Sequence, residues 1–183
     1  MSLPARLFAL GLCLAMPALA QGQPVKPAGG LTDCPVAVAP VRFCEADTGF
    51  HRMPQAINPD VNAFYEHSTG AAGMLIVETV GTADGLTLQM VRQNLIQNLA
   101  DGGGVTTDAV LVWPEQTASV AGTTLPTMVY SGPINGTRAT YANTVLLAPE
   151  RLIQLITVNE ADSYTPLHLH AHSEFLAHIR IDP

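Results

Sequence analysis

The chain has 183 residues, with 8 Lys and Arg against 15 Asp and Glu, a formal net charge of −7. So few and so scattered bases on an acidic chain exclude nucleic acid as a partner and exclude a polybasic attachment to anionic lipid. Three cysteines are too few for a disulfide scaffold, so a hydrophobic core must hold the fold.

Residues 1–20 read as a signal peptide. Arg6 is its single charge, Leu7 to Ala15 its apolar run, and Ala18-Leu19-Ala20 a small-x-small cleavage site. The run is too short to span a bilayer comfortably. Cys13 follows Gly11-Leu12 in mid-run, where a lipoprotein acceptor would follow a small residue. The expected location is periplasmic or secreted, with cleavage near Ala20. No later apolar run approaches spanning length, so no membrane insertion is expected after cleavage.

Residues 21–40, rich in Pro, Gly and Ala, read as a tether that becomes ordered near Cys34. Residues 41–183 read as a single α+β domain. Cys34 and Cys44 are the cysteines beyond the signal, and in an oxidising compartment the pair reads as a disulfide. Their separation is not that of a CxxC redox or metal pair. Val41–Glu45 and Phe50–Met53, joined by the turn residues Ala46–Gly49, predict a small hairpin stopped by Pro54.

Met74–Val80 is almost wholly apolar and lies between Gly73 and Gly81. It predicts a central strand covered on both faces. Leu88, Val91, Leu95 and Leu99 then follow helical spacing, with Gln and Asn on the other side. Asp84 or Thr87 can cap this helix, and Gly102-Gly103-Gly104 ends it. The glycine triplet is not a phosphate loop, because it follows the helix and no Lys comes after it.

From Val105 to Glu160 the texture is antiparallel β. Strands are predicted at 109–113, 115–121, 125–131 (interrupted by Pro126), 137–147 and 151–158. Asn135-Gly136 is the strongest hairpin signal. Asn135-Gly136-Thr137 also matches a glycosylation acceptor, but the turn reading suffices. Trp113 and Tyr141 read as a core or cross-strand pair.

The closing stretch holds four of the six histidines. As a strand, it would put His168, His170 and His172 on one face as a metal cluster. His168, His170 and Glu174 also mimic half of a cupin motif, but the chain ends before a second half could follow. Thr165-Pro166 signals a helix instead. At roughly 100° per residue, His172, Phe175 and Ile179 fall within about 40° of His168, while His170 and His178 fall away from that stripe. A His168–His172 pair survives. It either hydrogen-bonds beneath the helix or binds zinc or copper with a third ligand such as His51 or His67. Protonation of the pair below roughly pH 6 is expected to loosen the helix. His67-Ser68 adjacency does not make a nucleophile, and Ser68 reads as a turn residue. No nucleophile elbow or His-Glu-x-x-His motif is present.

Several landmarks then line up. They are Gly49-Phe50-His51-Arg52-Met53-Pro54, the helix end Asn98-Leu99, the turn Ala121-Gly122, Ala148-Pro149-Glu150, and the closing Phe175, Ile179 and Ile181. In this order they resemble the PsbP/Mog1-like α/β/α sandwich, in particular its exported bacterial DcrB-like and LpqN-like branch, over roughly Phe43 to Ile181. The resemblance implies a mostly antiparallel sheet packed with helices. It also implies a non-catalytic assembly or interaction module of the cell envelope, with a protein partner, no cofactor and no shared catalytic residues. The histidine-rich closing helix departs from the pattern.

Overall fold

A computed structural model of the chain describes residues 34–54, 58–81, 85–134 and 136–182. The signal and most of the tether, the Asp84 cap and Asn135 lie outside these residues. The described chain builds two antiparallel sheets and two long helices.

The smaller sheet has the order β1 (Val36–Val38), β2 (Val41–Phe43) and β11 (Ile179–Ile181). β1 therefore lies inside the stretch read as tether, and the fold already includes Cys34, which is joined to Cys44 by a disulfide. The larger sheet runs β3 (Phe50–Arg52), β4 (Ala63–His67), β5 (Ala72–Thr79), β10 (Arg151–Asn159), β9 (Thr137–Ala148), β8 (Thr123–Ile134) and β6 (Leu111–Val112). β7 (Gln116–Val120) also pairs with β8.

The predicted 41–53 hairpin does not form. β2 pairs with β1 and β11, whereas β3 pairs with β4. A strand has two edges, and both edges of β2 are taken. The turn at Glu45–Thr48, closed by Thr48 N–H to Glu45 O at 3.1 Å, carries the chain to the other sheet instead. The 109–113 strand is also shorter than expected: Thr107–Ala109 is a 3₁₀ turn and only Leu111–Val112 pairs. β8 runs through Pro126, because its ladder with β9 begins one residue later at Thr127. The β8–β9 hairpin forms where Ile134 meets Thr137.

Helix α2 (Pro166–Ala177) covers one face of the large sheet. Thr165 accepts a hydrogen bond from His168 N at 3.2 Å and Pro166 opens the helix. Beneath it Phe175 meets Phe43 and Phe50, both at 5.0 Å between ring centroids, and Tyr65 at 5.9 Å. Leu75, Ile153, Leu155, Leu176 and Ile179 complete this core. Burying each such side chain stabilises by about 1.5–3 kcal/mol.

Helix α1 (Leu88–Gly103) lies on the opposite face. Thr87 caps it by accepting from Met90 N at 3.2 Å, and Gly104, at φ 64, ends it in the left-handed conformation. Leu99 and Ala100 pack with Met128 and Tyr130, and Val91 packs with Val145 and Leu152. α1 thus sits chiefly over β8 and β9. β5 is covered on one face only: Leu75 is buried under α2, while Met74 and Ile76 are half-exposed on the α1 side. That corrects the expectation of a strand buried on both faces.

Candidate binding cleft

The uncovered part of the α1 face forms a cleft of about 620 Å³. Its floor follows from strand alternation. Tyr130, Tyr141, Val158 and Ala72 face one another across four strands, and Met74 and Ile76 continue the lining along β5. Leu95, Asn98 and Leu99 of α1 form one wall, and Val61 and Phe64 lie on the other side. A smaller hollow of about 170 Å³ shares Leu95 and Asn98 and extends to Glu78. The depression therefore follows α1 from Glu160 at one end to Glu78 at the other.

Close backbone approach fixes the closed side. A Cβ on Gly132 would meet Leu99 Cδ2 at 2.8 Å, and one on Gly103 would collide with the Pro133 carbonyl oxygen. The missing side chains let the C-terminal turn of α1 settle onto β8. The Tyr130 and Tyr141 rings stack at 5.2 Å and 8°. Burial pushes the Tyr141 hydroxyl up to about 12. Burial, then the Tyr141 neighbour, push Tyr130 up as well, against a hydrogen bond with Asn143. Both phenols stay neutral. Asn143 donates to Gln154 Oε1 at 2.9 Å, and Gln154 reaches toward Glu78 at 3.5 Å. Amides thus link the floor to the acid at the cleft's end.

On the other face, α2 brings the predicted pair His168 and His172 inside the protein, 1% and 3% exposed. Threonines lie beneath them. His172 Nε2 is 2.9 Å from Thr144 Oγ1, its Nδ1 is 2.9 Å from Thr157 Oγ1, and Thr144 in turn contacts Thr127 Oγ1 at 2.7 Å. His168 Nε2 donates to the Thr157 carbonyl at 3.3 Å, since a carbonyl only accepts, and lies 3.1 Å from Thr157 Oγ1. This leaves Nδ1 of His168 as a buried lone pair without a partner. Burial and then the neighbouring His168 hold His172 down at about 3, and burial lowers His168 too.

His67, one of the proposed third ligands, lies elsewhere. Its Nδ1 is 2.7 Å from Thr69 Oγ1 and accepts from Thr69 N at 3.2 Å, and its Nε2 is 3.2 Å from Glu174 Oε2. The other Glu174 oxygen accepts from Gly49 N at 2.7 Å. His51 stands exposed on β3. Among the described residues no three His, Cys, Asp or Glu side chains converge on a common point.

No protein-family model matches the chain, and no curated protein matches it in sequence. Solved structures do match in shape. Cyanobacterial PsbP from Synechocystis sp. PCC 6803 superposes with a TM-score of 0.52 at 11% identity, covering 78% of this chain and 87% of its own. The Ran-binding protein Mog1p of Saccharomyces cerevisiae gives 0.53 at 13% identity, covering 78% and 90%. The fold is PsbP/Mog1-like. LpqN of Mycobacterium tuberculosis gives a lower TM-score, 0.42, at 17% identity over 82% of this chain and 83% of its own.

Within the PsbP/Mog1-like sheet, two site features were invisible as sequence. The cleft depends on where α1 stops covering the strands. The Thr69–His67–Glu174 array joins a turn to a helix more than a hundred residues away; Thr69, not the adjacent Ser68, is the hydroxyl that reaches His67. Tyr141 stacks on Tyr130 rather than pairing with Trp113, because β6, which leads into Trp113, pairs with β8 and not with β9. The local signal that falls in the cleft is the alternation along 137–147, which places Ala139 and Tyr141 on one face.

Proposed function

We propose that this protein is an exported, non-catalytic binding module that holds a protein partner in the cleft between α1 and the large sheet. The observation that carries this reading is the cleft itself. It is an open apolar hollow of about 620 Å³, floored by two stacked neutral phenols and edged by amides. Its described lining offers contact area and hydrogen bonds, which is the chemistry of recognition. Mog1p, which shares the fold, is a Ran-binding protein, so the scaffold suits a protein partner. The Cys34–Cys44 disulfide supports an oxidising compartment, as does the signal-like N-terminus. No described helix is long and apolar enough to cross a membrane.

A photo-crosslinking residue at Asn98, on the exposed rim of the cleft, tests the reading in the producing cell. An adduct is expected there and not at Gln89, an exposed α1 residue that is not among the cleft's described lining. No adduct at Asn98, or turnover of a substrate by the purified protein, overturns it. Mass spectrometry of the same material should find Gln21 as the first residue; retained Met1 removes the exported part. The zinc or copper alternative meets an obstacle in His172, whose two ring nitrogens are both held by hydroxyls. Calorimetric titration is expected to show no binding tighter than about 10 μM, roughly −7 kcal/mol.

A further inference from the structure

We infer that the segment received by the cleft is an amphipathic helix bearing basic residues near both ends. This deepens the reading above and rests on it. Three observations set the occupant. First, the floor is a sheet face and not a sheet edge, so it offers an incoming backbone no ladder to join. A partner must satisfy its own backbone groups, which a helix does and an extended peptide does not. α1 already packs on this face in that manner, and a second helix beside it would complete the layer.

Second, the length fits. Glu78 stands opposite Leu152 on β10, and Glu160 follows the end of that strand. Eight strand residues separate these levels, about 26 Å at the usual rise. A helix of about 17 residues covers that distance.

Third, the charge is one-sided. Glu78 and Glu160 are exposed and line opposite ends of the depression. Glu66, in register with Ala72, adds a third acid to this face, beside His51 of β3. The nearby arginines point elsewhere. Arg138 and Arg151 occupy the alternate strand positions that face α2, and Arg92 of α1 is paired with Glu115. An acidic rim around an apolar floor selects a cationic, apolar-striped partner.

The test uses the purified protein and two labelled peptides that share one leucine-striped helical core, one ending in lysines and the other in glutamates. Fluorescence anisotropy is expected to show the lysine peptide binding about tenfold tighter at low salt. The gap should narrow as salt rises from about 0.02 to about 0.5 M. Glu78→Lys with Glu160→Lys should invert the preference. The same charge change at remote acids, Asp47→Lys with Asp108→Lys, should leave it intact. A lysine peptide broken by a central proline should lose its binding. Equal affinity of the two peptides, a preference that survives the Glu78/Glu160 reversal, or full binding by the proline peptide each overturns the inference. Binding of the neutral dye Nile red but of neither peptide identifies a small-molecule cavity and also overturns it. If neither peptide binds while Asn98 still crosslinks a protein in the cell, this inference fails and the proposed function stands. Absence of both signals removes both.

Discussion

His172 is held neutral by its surroundings. It has no carboxylate partner; its ring nitrogens meet two threonine hydroxyls, and burial holds it down at about 3 against an ordinary 6.5. The sign of the pH effect follows. Above about pH 6.5 the ring is neutral in both folded and unfolded chains and costs nothing. Below that, the unfolded chain takes up a proton that the folded chain refuses. Stability is therefore full above pH 6.5 and is lost as the pH falls toward 3, by up to about 1.4 kcal/mol per pH unit for one such group. Melting curves from pH 8 to pH 4 should be flat down to about 6.5 and then decline. His172→Gln, starting from a lower melting temperature, should show a shallower decline; an unchanged slope rules His172 out as the cause. At Gly49 the constraint is steric: a Cβ there would run into the His67 ring. Gly49→Ala should cost about 1–3 kcal/mol in chemical denaturation, the usual range for overpacking. Glu174→Gln, which keeps an acceptor for Gly49 N, should cost less.

At the scale of elements, both helices are set by local signals and positioned by contacts remote in sequence. Thr165→Ala removes the cap of α2 and should cost about 1 kcal/mol. For α1 the sensitive site is on its neighbour. Gly132→Ala puts a methyl group against Leu99, and the helix must lift or the strand must bend. A loss of about 1–3 kcal/mol is expected, together with altered fluorescence of the Tyr130–Tyr141 pair at the cleft floor. A Gly132→Ala protein with unchanged stability and spectrum would mean that α1 is not seated on β8 as described. The failed 41–53 hairpin belongs at this scale too. Its sequence pattern was sound for two strands, but pairing depends on which edges are free, and β11, at the far end of the chain, takes the edge of β2.

In the whole molecule, three parts of the chain meet around Phe175: β2 from the small sheet, β3 to β5 from the large one, and α2 above both. The Cys34–Cys44 bridge and the Arg42–Asp182 ion pair, at 2.9 Å, fasten the two ends of the described chain to this junction. The bridge closes a separation of 10 residues, so in the chain-entropy model it stabilises by about 2–3 kcal/mol. Reduction, or Cys34→Ser with Cys44→Ser, should lower the unfolding free energy obtained from urea denaturation by that amount and leave the cleft's ligand preference unchanged, because the bridge lies on the small sheet. A larger loss, with collapse of the fold, would mean that the N-terminal strand organises the core and is more than a clasp.

Whatever depends on neighbours along the chain is legible in the order of the residues. That order specified α1 and α2 with their caps, the long strands 72–79, 137–148 and 151–159, the cysteine pair, and the phasing that turns His168 and His172 inward while His170 stays out. These follow from propensity, periodicity and turn chemistry, which act over a few residues. What those elements meet is set by the assembled fold. It put threonines from three strands under the histidines, buried His178 against the Glu174 carbonyl although it lies off the apolar stripe, and joined His67 to Glu174. It also left one half of a sheet face open beside α1. The threonine contacts and the His67–Glu174 pair join residues far apart in the chain, and the open face is set by strand order and by the depth to which a helix settles on a glycine; local physics carries no information about either.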